Sequence, residues 1–296
     1  MDILVLGGAG QVGTELQAHA WPDGVRVHAP TREALDITDP AAVASVLAER
    51  DYAAVINTAA YTAVDKAEAD AIAAWRLNAL APAILANETR ARDIPLVHVS
   101  TDYVFAGTKP EGAYAPDEPV DPQSVYGASK AAGEFAVRTG NPRHAILRTA
   151  WVVSPHRGNF VKTMLRLAAE RDRLTVVDDQ HGCPTSATDL AAALATVALR
   201  MAEDPAAPTG TFHCVNDGST TWCGFAKAIV AGGAKRGGRE VPVEGIPTSA
   251  YPTPARRPSN SRLSTGSLRE AYGILPRPWQ DALDDILDTL AGPVRP

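Results

Sequence analysis

The sequence predicts an α/β protein, a Rossmann-type doubly wound parallel sheet with a smaller, interleaved C-terminal substrate domain. Three observations predict it. Apolar strand-like runs alternate with helical segments through the first 150 residues. A glycine-spaced turn stands directly between the first strand and the first helix. Beyond residue 150 the alternation loosens into helices and loops rich in Gly, Pro and Ser.

Each element has a local reason. "DILVLGGAGQVGTEL" runs from the apolar stretch Ile3–Leu6 through glycines into a helix. "VRVHAP" reads as a second short strand. "DPAAVASVLAER" reads as an Ala-rich helix behind an Asp cap. "YAAVINTAA" is a buried strand, and "DAIAAWRLNALAPAILANETRARD" a long helix with an irregularity at Pro82. "IPLVHVST" is the next strand. A helix follows from about Tyr126 to Gly140, then a strand, "HAILRTAWVV". Strands alternating with helices of this length make βαβ units. Farther on, "NFVKTMLRLAAER" and "SATDLAAALATVALRMA" look helical and "GTFHCVND" looks like a strand. "GGAKRGGRE" and "PTSAYPTPARRPSNS" read as loops.

Composition excludes several classes. Of 296 residues, 45% are hydrophobic and 21% charged, which is globular. A net charge of −6 leaves no basic footprint for nucleic acid. Cys183, Cys214 and Cys223 are odd in number and lack CxxC spacing, so reduced thiols are expected, not a disulfide framework or a zinc site. The histidines form no HxxxH pair. Asp2 follows Met1 directly, with no basic n-region and no long apolar run, so a cytoplasmic protein without a membrane partner is expected.

Gly7, Gly10 and Gly13 follow the first strand. Glycines there let the backbone turn sharply and approach a pyrophosphate, which the next helix meets with free N–H groups. Gln11 and Val12 at the helix start are expected to face the cofactor. The usual site ends its second strand with an acid that binds the ribose 2′-OH. Here that position is Thr31, followed by Arg32. A hydroxyl and a guanidinium suit a 2′-phosphate, so NADP(H) is expected at least as readily as NAD(H), unless Arg32 is merely solvated. Asp36 and Ile37 are expected near the adenine.

Tyr126 precedes Lys130 by four residues in "SVYGASK". A free phenol titrates near ~10. On a helix, i and i+4 share a face, so the ammonium is expected to lower the phenol's pKa. Thr101 ends the strand "VHVST", where sheet ligands bind. Its hydroxyl is placed to share a substrate oxygen with Tyr126.

Strand–GxxGxxG–helix, a strand ending Ser/Thr, and Tyr-x-x-x-Lys together resemble the extended short-chain dehydrogenase/reductase superfamily. "VINTAAYTAVDKAE", "STDYVFAG", "VYGASKAAGE", "RTAWVV", "NFVKTMLRLA", "DDQHGCPTSATDLA" and "RRPSNSRL" resemble, more narrowly, the dTDP-4-dehydrorhamnose reductase family. That resemblance implies reduction of the C4 ketone of dTDP-4-dehydro-L-rhamnose to dTDP-L-rhamnose. It implies Tyr126 as proton donor, Lys130 on the nicotinamide ribose and Thr101 on the reacting oxygen. It places Ala59, Ala60, Tyr61 and Thr62 along the cofactor, and Val64, Asp102, Tyr103 and Trp151 on the sugar. The lesser alternative for Trp151 and Tyr103 is a core aromatic, and for Asp102 a turn cap. Arg256 and Arg257 suit a diphosphate or a solvated loop pair. Asn159 and Phe160 are expected to meet the nucleotide. Asn78 is expected to bond backbone near the cofactor or to be a plain helix-interior residue. Some family members use magnesium at a dimer contact, but no motif here transfers its ligands, so no metal residue is assigned. The resemblance leaves monomer and homodimer open. It implies residues 1–150 as the dinucleotide-binding domain, with returning segments from the C-terminal half, and 151–296 mainly for the sugar nucleotide. Two other readings stand beside it: another dTDP-sugar 4-ketoreductase, and a non-catalytic regulatory subunit resembling that of methionine adenosyltransferase.

Overall fold

The structure, a computed structural model, describes residues 1–292; residues 293–296, the last four of the expected second domain, lie outside the described residues. Its centre is a six-stranded sheet. The strands are β1 (Asp2–Leu6), β2 (Arg26–His28), β3 (Tyr52–Asn57), β4 (Leu96–Thr101), β5 (His144–Thr149) and β6 (Gly210–His213). Their order is β6-β5-β4-β3-β1-β2, and every pairing is parallel. A parallel sheet buries both faces, which is why these strands are apolar at successive positions and do not alternate with polar ones. Ile3, Val5, Ala54, Ile56, Val97 and Leu147 face one core; Leu4, Leu6, Val55, Leu96 and Ile146 face the other.

The first helices are α1 (Gln11–Ala18), α2 (Pro40–Ala48), α3 (Val64–Ala69), α4 (Ala71–Trp75) and α5 (Ala81–Arg90). Asp39 caps α2 as expected, its carboxylate accepting from Ala41 N at 2.9 Å. The long helix expected over 70–93 is interrupted one turn before Pro82, by a π-helical segment, Arg76–Leu80. Proline lacks an N–H, so Pro82 cannot donate to the Asn78 carbonyl four residues back, and the ladder widens there.

The Asn78 carbonyl meets the next helix, α6 (Val125–Gly140). A Cβ on Gly133 would lie 2.1 Å from Asn78 O, and one on Gly127 would lie 2.2 Å from Tyr103 O. No side chain fits at either contact, so glycine sets how deeply α6 nests. Ser124 caps α6, accepting from Gly127 N at 3.1 Å.

"HAILRTAWVV" is not one strand. Trp151 turns into the left-handed region (φ 49°), and the chain resumes as a two-residue strand, Val152–Val153, paired with Thr185–Ser186. Beyond it come α7 (Phe160–Glu170), α8 (Ala187–Glu203), α9 (Trp222–Ala234), α10 (Gly266–Tyr272) and α11 (Trp279–Ala291). Helix α8 returns to the sheet and joins the core over β1 and β3. A separate core gathers Val161, Phe225, Ile229, Leu283 and Ile286 from α7, α9 and α11. The expected loop "GGAKRGGRE" begins inside the last turn of α9. No helix among the described residues is long and apolar enough to cross a membrane.

Gly133→Ala forces backbone apart and is expected to cost about 2 kcal/mol in urea unfolding. Gly158→Ala, whose Cβ meets nothing within 4 Å, is the control and is expected to stay within about 0.5 kcal/mol.

Candidate active site

In the sheet, β2 lies on one side of β1 and β3 on the other, so the crevice beyond their carboxyl ends is the topological switch point. The glycine turn sits there. Gly7 has φ 84°, and a Cβ on it would lie 2.7 Å from Ala59 N. A Cβ on Gly13 would lie 2.2 Å from Gly7 O. These two glycines close the turn on itself and on the end of β3. Gly10 is different. It is the N-cap residue of α1, no side chain caps that helix, and a Cβ on it would meet only Gly7 O, at 3.3 Å. The helix start therefore stays open for a phosphate, and the turn fits a dinucleotide.

The structure alters the roles open to the neighbouring side chains. Val12 packs into the core, so only its backbone faces the turn. The Gln11 amide points across to the C-terminal half: its Oε1 accepts from Ser154 Oγ at 2.8 Å and from Asn159 Nδ2 at 3.0 Å. Asn159 also caps α7. Its side chain thus holds Gln11 and the helix start. Arg157, which the sequence reading passed over, has φ 56° and donates from Nε to Ala9 O at 2.8 Å. His156 lies 3.2 Å from Glu15. The segment 154–159 is pinned across the glycine turn.

Thr31 and Arg32 are exposed beyond β2, Arg32 with 94% of its side-chain surface free. The Asp36 carboxylate accepts from Thr38 N at 2.9 Å and from the Thr38 hydroxyl at 2.7 Å; these bonds hold its pKa below the usual value. Ile37 is a core side chain.

After β3 come Ala59, Ala60, Tyr61 and Thr62. Asn78, fully buried in the π-helical segment, grips this stretch at two points. Its Oδ1 accepts from Tyr61 N at 2.7 Å and its Nδ2 donates to Tyr61 O at 3.1 Å. The same Nδ2 donates to Ser129 Oγ at 3.0 Å, and Ser129 donates to Tyr126 O at 2.8 Å. One buried amide thus ties this loop to the helix that carries Tyr126. Thr62 is exposed, while the Tyr61 hydroxyl donates to Asp70 at 3.1 Å.

Thr101, Asp102, Tyr103 and Tyr126 meet beyond β4. Thr101 Oγ1 donates to Asp102 Oδ1 at 3.0 Å and accepts from Tyr103 N at 3.2 Å. Asp102 Oδ2 is buried without a partner. The Tyr103 ring stands edge-on to Tyr126, centroids 5.5 Å apart, and Val64 packs beside them.

The expected effect of Lys130 on Tyr126 is not what the structure holds. Lys130 is buried, donates from Nζ to Val99 O at 2.7 Å and lies 3.4 Å from His98 Nε2. Burial pushes the Tyr126 phenol well above its ordinary pKa, and the neighbouring Thr101 hydroxyl pulls the other way. Burial lowers Lys130 to about 8. Among protein groups alone, Tyr126 is a phenol that keeps its proton.

The aromatic expectations are partly redirected. Trp151 stacks on Trp222, a residue the sequence reading missed, with centroids 3.6 Å apart, and a Cβ on Gly182 would strike its ring at 2.4 Å. Phe160 packs on Trp222 and Phe225. Arg257 does not project as a free fork: it donates to Tyr103 OH at 2.9 Å and to Asp65 at 2.5 Å. Arg256 is exposed and donates to Gln123 at 3.1 Å. No group of three or more His, Cys, Asp or Glu among the described residues is arranged to hold a metal ion.

Comparison with known proteins agrees with this geometry. Residues 1–291 match the family model described as the RmlD substrate binding domain. A relative from Sinorhizobium fredii, named dTDP-4-dehydrorhamnose reductase, is 42% identical over 95% of each chain. A crystal structure of a dTDP-4-dehydrorhamnose reductase from Clostridium acetobutylicum is 38% identical, covering 98% of this chain and 99% of that one, with a TM-score of 0.91. Another, from Bacillus anthracis in complex with NADP, is 34% identical, covering 96% and 98%, with a TM-score of 0.89. The chain belongs to the RmlD substrate binding domain family, among relatives that are dTDP-4-dehydrorhamnose reductases.

Proposed function

We propose that this chain reduces the C4 ketone of dTDP-4-dehydro-L-rhamnose to dTDP-L-rhamnose, using NADPH and also NADH. The observation that carries the reading is the meeting of Thr101, Tyr103 and Tyr126 beyond β4, two strands across the sheet from an open glycine turn at the switch point. Gly7, Gly10 and Gly13 with the start of α1 would hold the dinucleotide, and Thr31 with Arg32 would receive a 2′-phosphate. Bound there, the reduced nicotinamide supplies hydride to the ketone carbon.

The residues of the chain manage the proton and the orientation. Tyr126 holds its proton at neutral pH, so it is available as the general acid in the reducing direction, with the forming alkoxide as the base that takes the proton. Thr101 aligns the same oxygen. Tyr103, braced by Arg257, and Val64 form an apolar wall for the deoxysugar; Trp151, backed by Trp222, offers a second aromatic face. Residues 151–296 supply most of the sugar-nucleotide side, with Arg256, exposed and bonded to Gln123, the guanidinium for a diphosphate.

Tyr126→Phe is expected to lower kcat on dTDP-4-dehydro-L-rhamnose by at least ~10²-fold while dinucleotide affinity changes little. Wild-type turnover in the variant would remove Tyr126 as the acid.

Arg32→Ala is expected to raise KM for NADPH far more than for NADH. Equal effects on both would rule out a 2′-phosphate role.

Asp102 gives a pH test. Burial lifts its pKa from 3.8 to about 6. The unfolded chain sheds this proton near 3.8 and the folded chain near 6, so stability falls as pH rises between them, by roughly 3 kcal/mol in full. Asp102→Asn removes that penalty. Its melting temperature is expected to gain on the parent between pH 4 and pH 7; a difference that does not vary with pH would contradict this.

A further inference from the structure

Behind Lys130 runs a chain of fully buried polar groups. Asn57, at the end of β3, accepts from Ala59 N through Oδ1 at 3.1 Å. That fixes the amide, so its Nδ2 faces His98 Nδ1, at 3.1 Å. The other ring nitrogen, Nε2, lies 3.4 Å from Lys130 Nζ. Asn57 and His98 are 0% exposed and Lys130 is 2% exposed, so water does not reach them; besides one another they have the backbone, Ala59 N on Asn57 and Val99 O on Lys130 Nζ at 2.7 Å.

Counting donors and acceptors constrains this chain. Asn57 Nδ2 can only donate, so His98 Nδ1 must accept. His98 is neutral, because burial and the adjacent Lys130 disfavour its charged form. Its single ring proton therefore sits on Nε2, aimed at the lysine nitrogen. An ammonium there brings two donors face to face. A neutral amine accepts the proton and satisfies every group. Moving the ring proton to Nδ1 transfers the clash to Asn57 Nδ2. Turning the Asn57 amide transfers it to Ala59 N–H. With Lys130 charged, one donor in the chain always lacks an acceptor.

We propose that His98 is a positioning residue for Lys130: oriented by Asn57, it turns an N–H toward the lysine nitrogen and so biases Lys130 toward passing on a proton instead of keeping it. The role rests on the reductase reading, in which Lys130 lies one helical turn from a tyrosine that must be reprotonated after each turnover. The surrounding groups are few. From α6, Glu134 favours the lysine charge, but its carboxylate is shared by Ser100, Arg138 and Arg148. From β5, the residue opposite His98 is Ile146, which is apolar.

The test is nuclear magnetic resonance on the full chain, with ¹⁵N-histidine and ¹³C-lysine labels. One-bond N–H coupling is expected at Nε2 of His98 and none at Nδ1. Protonation of Nδ1 would overturn the proposal, and this needs no variant to fold. The Lys130 side chain is then titrated in the wild type and in His98→Phe. Removing the N–H is expected to raise the Lys130 midpoint by about one pH unit. An unchanged midpoint in a folded variant would also overturn it. Neither readout depends on turnover. If the chain failed to reduce the sugar, the tautomer and the titration would still stand or fall alone.

Discussion

Two backbone contacts govern this molecule. Helix α6 presses a glycine against the Tyr103 carbonyl and, six residues on, another against the Asn78 carbonyl. A Cβ at either place would lie about 2 Å from an oxygen, a separation that packed atoms do not tolerate. The contacts are adjacent to the chemistry. Gly127 follows Tyr126, so its approach to Tyr103 sets the height of the phenol above β4. Gly133 docks on the π-helical segment, whose Asn78 grips the loop after β3. The glycine turn, the β3 loop, the end of β4 and the Tyr126 helix thus share one frame.

The polar interior extends that frame. Glu134 accepts from Ser100 at 2.6 Å and from Arg148 at 2.8 and 2.7 Å, and Arg148 lies over the Phe105 ring at 4.8 Å. Burying such a pair gives little net stability, yet removing one member leaves an uncompensated charge. Its effect is to lock β4, β5 and α6 in one register directly below Thr101. Nearby, the open oxygen of Asp102 and the raised phenol of Tyr126 are groups kept away from water with few partners, the condition in which a substrate's polar atoms gain most from meeting them.

Much of this was legible in the sequence, for identifiable reasons. The sheet was readable because buried parallel strands are runs of apolar residues, and the Asp39 cap and the helix read from about Tyr126 to Gly140, found as Val125–Gly140, have local signals. Tyr126, Lys130 and Thr101 could be placed together because helix period and strand ends are local rules. What escaped was set by distant contacts. The turn at Trp151 depends on Gly182 and Trp222. Arg257 is drawn to Asp65, nearly 200 positions away in the chain. Helices α9 and α11 pack on each other and α10 packs on the main sheet core, and α9 is rich in Ala and Gly, so its pattern is weak. The effect of Lys130 on Tyr126 was misjudged because helical spacing shows a shared face and not where an ammonium bonds; here it bonds Val99 O and borders His98.

The most direct measurement is a turnover assay with product identification. The full chain is mixed with enzymatically generated dTDP-4-dehydro-L-rhamnose and NADPH, then NADH, and loss of reduced-nicotinamide absorbance is followed. The account predicts rapid loss with stoichiometric dTDP-L-rhamnose, and NADPH used at least as well as NADH. Tight dinucleotide binding with no oxidation, or a product of different C4 configuration, would contradict it.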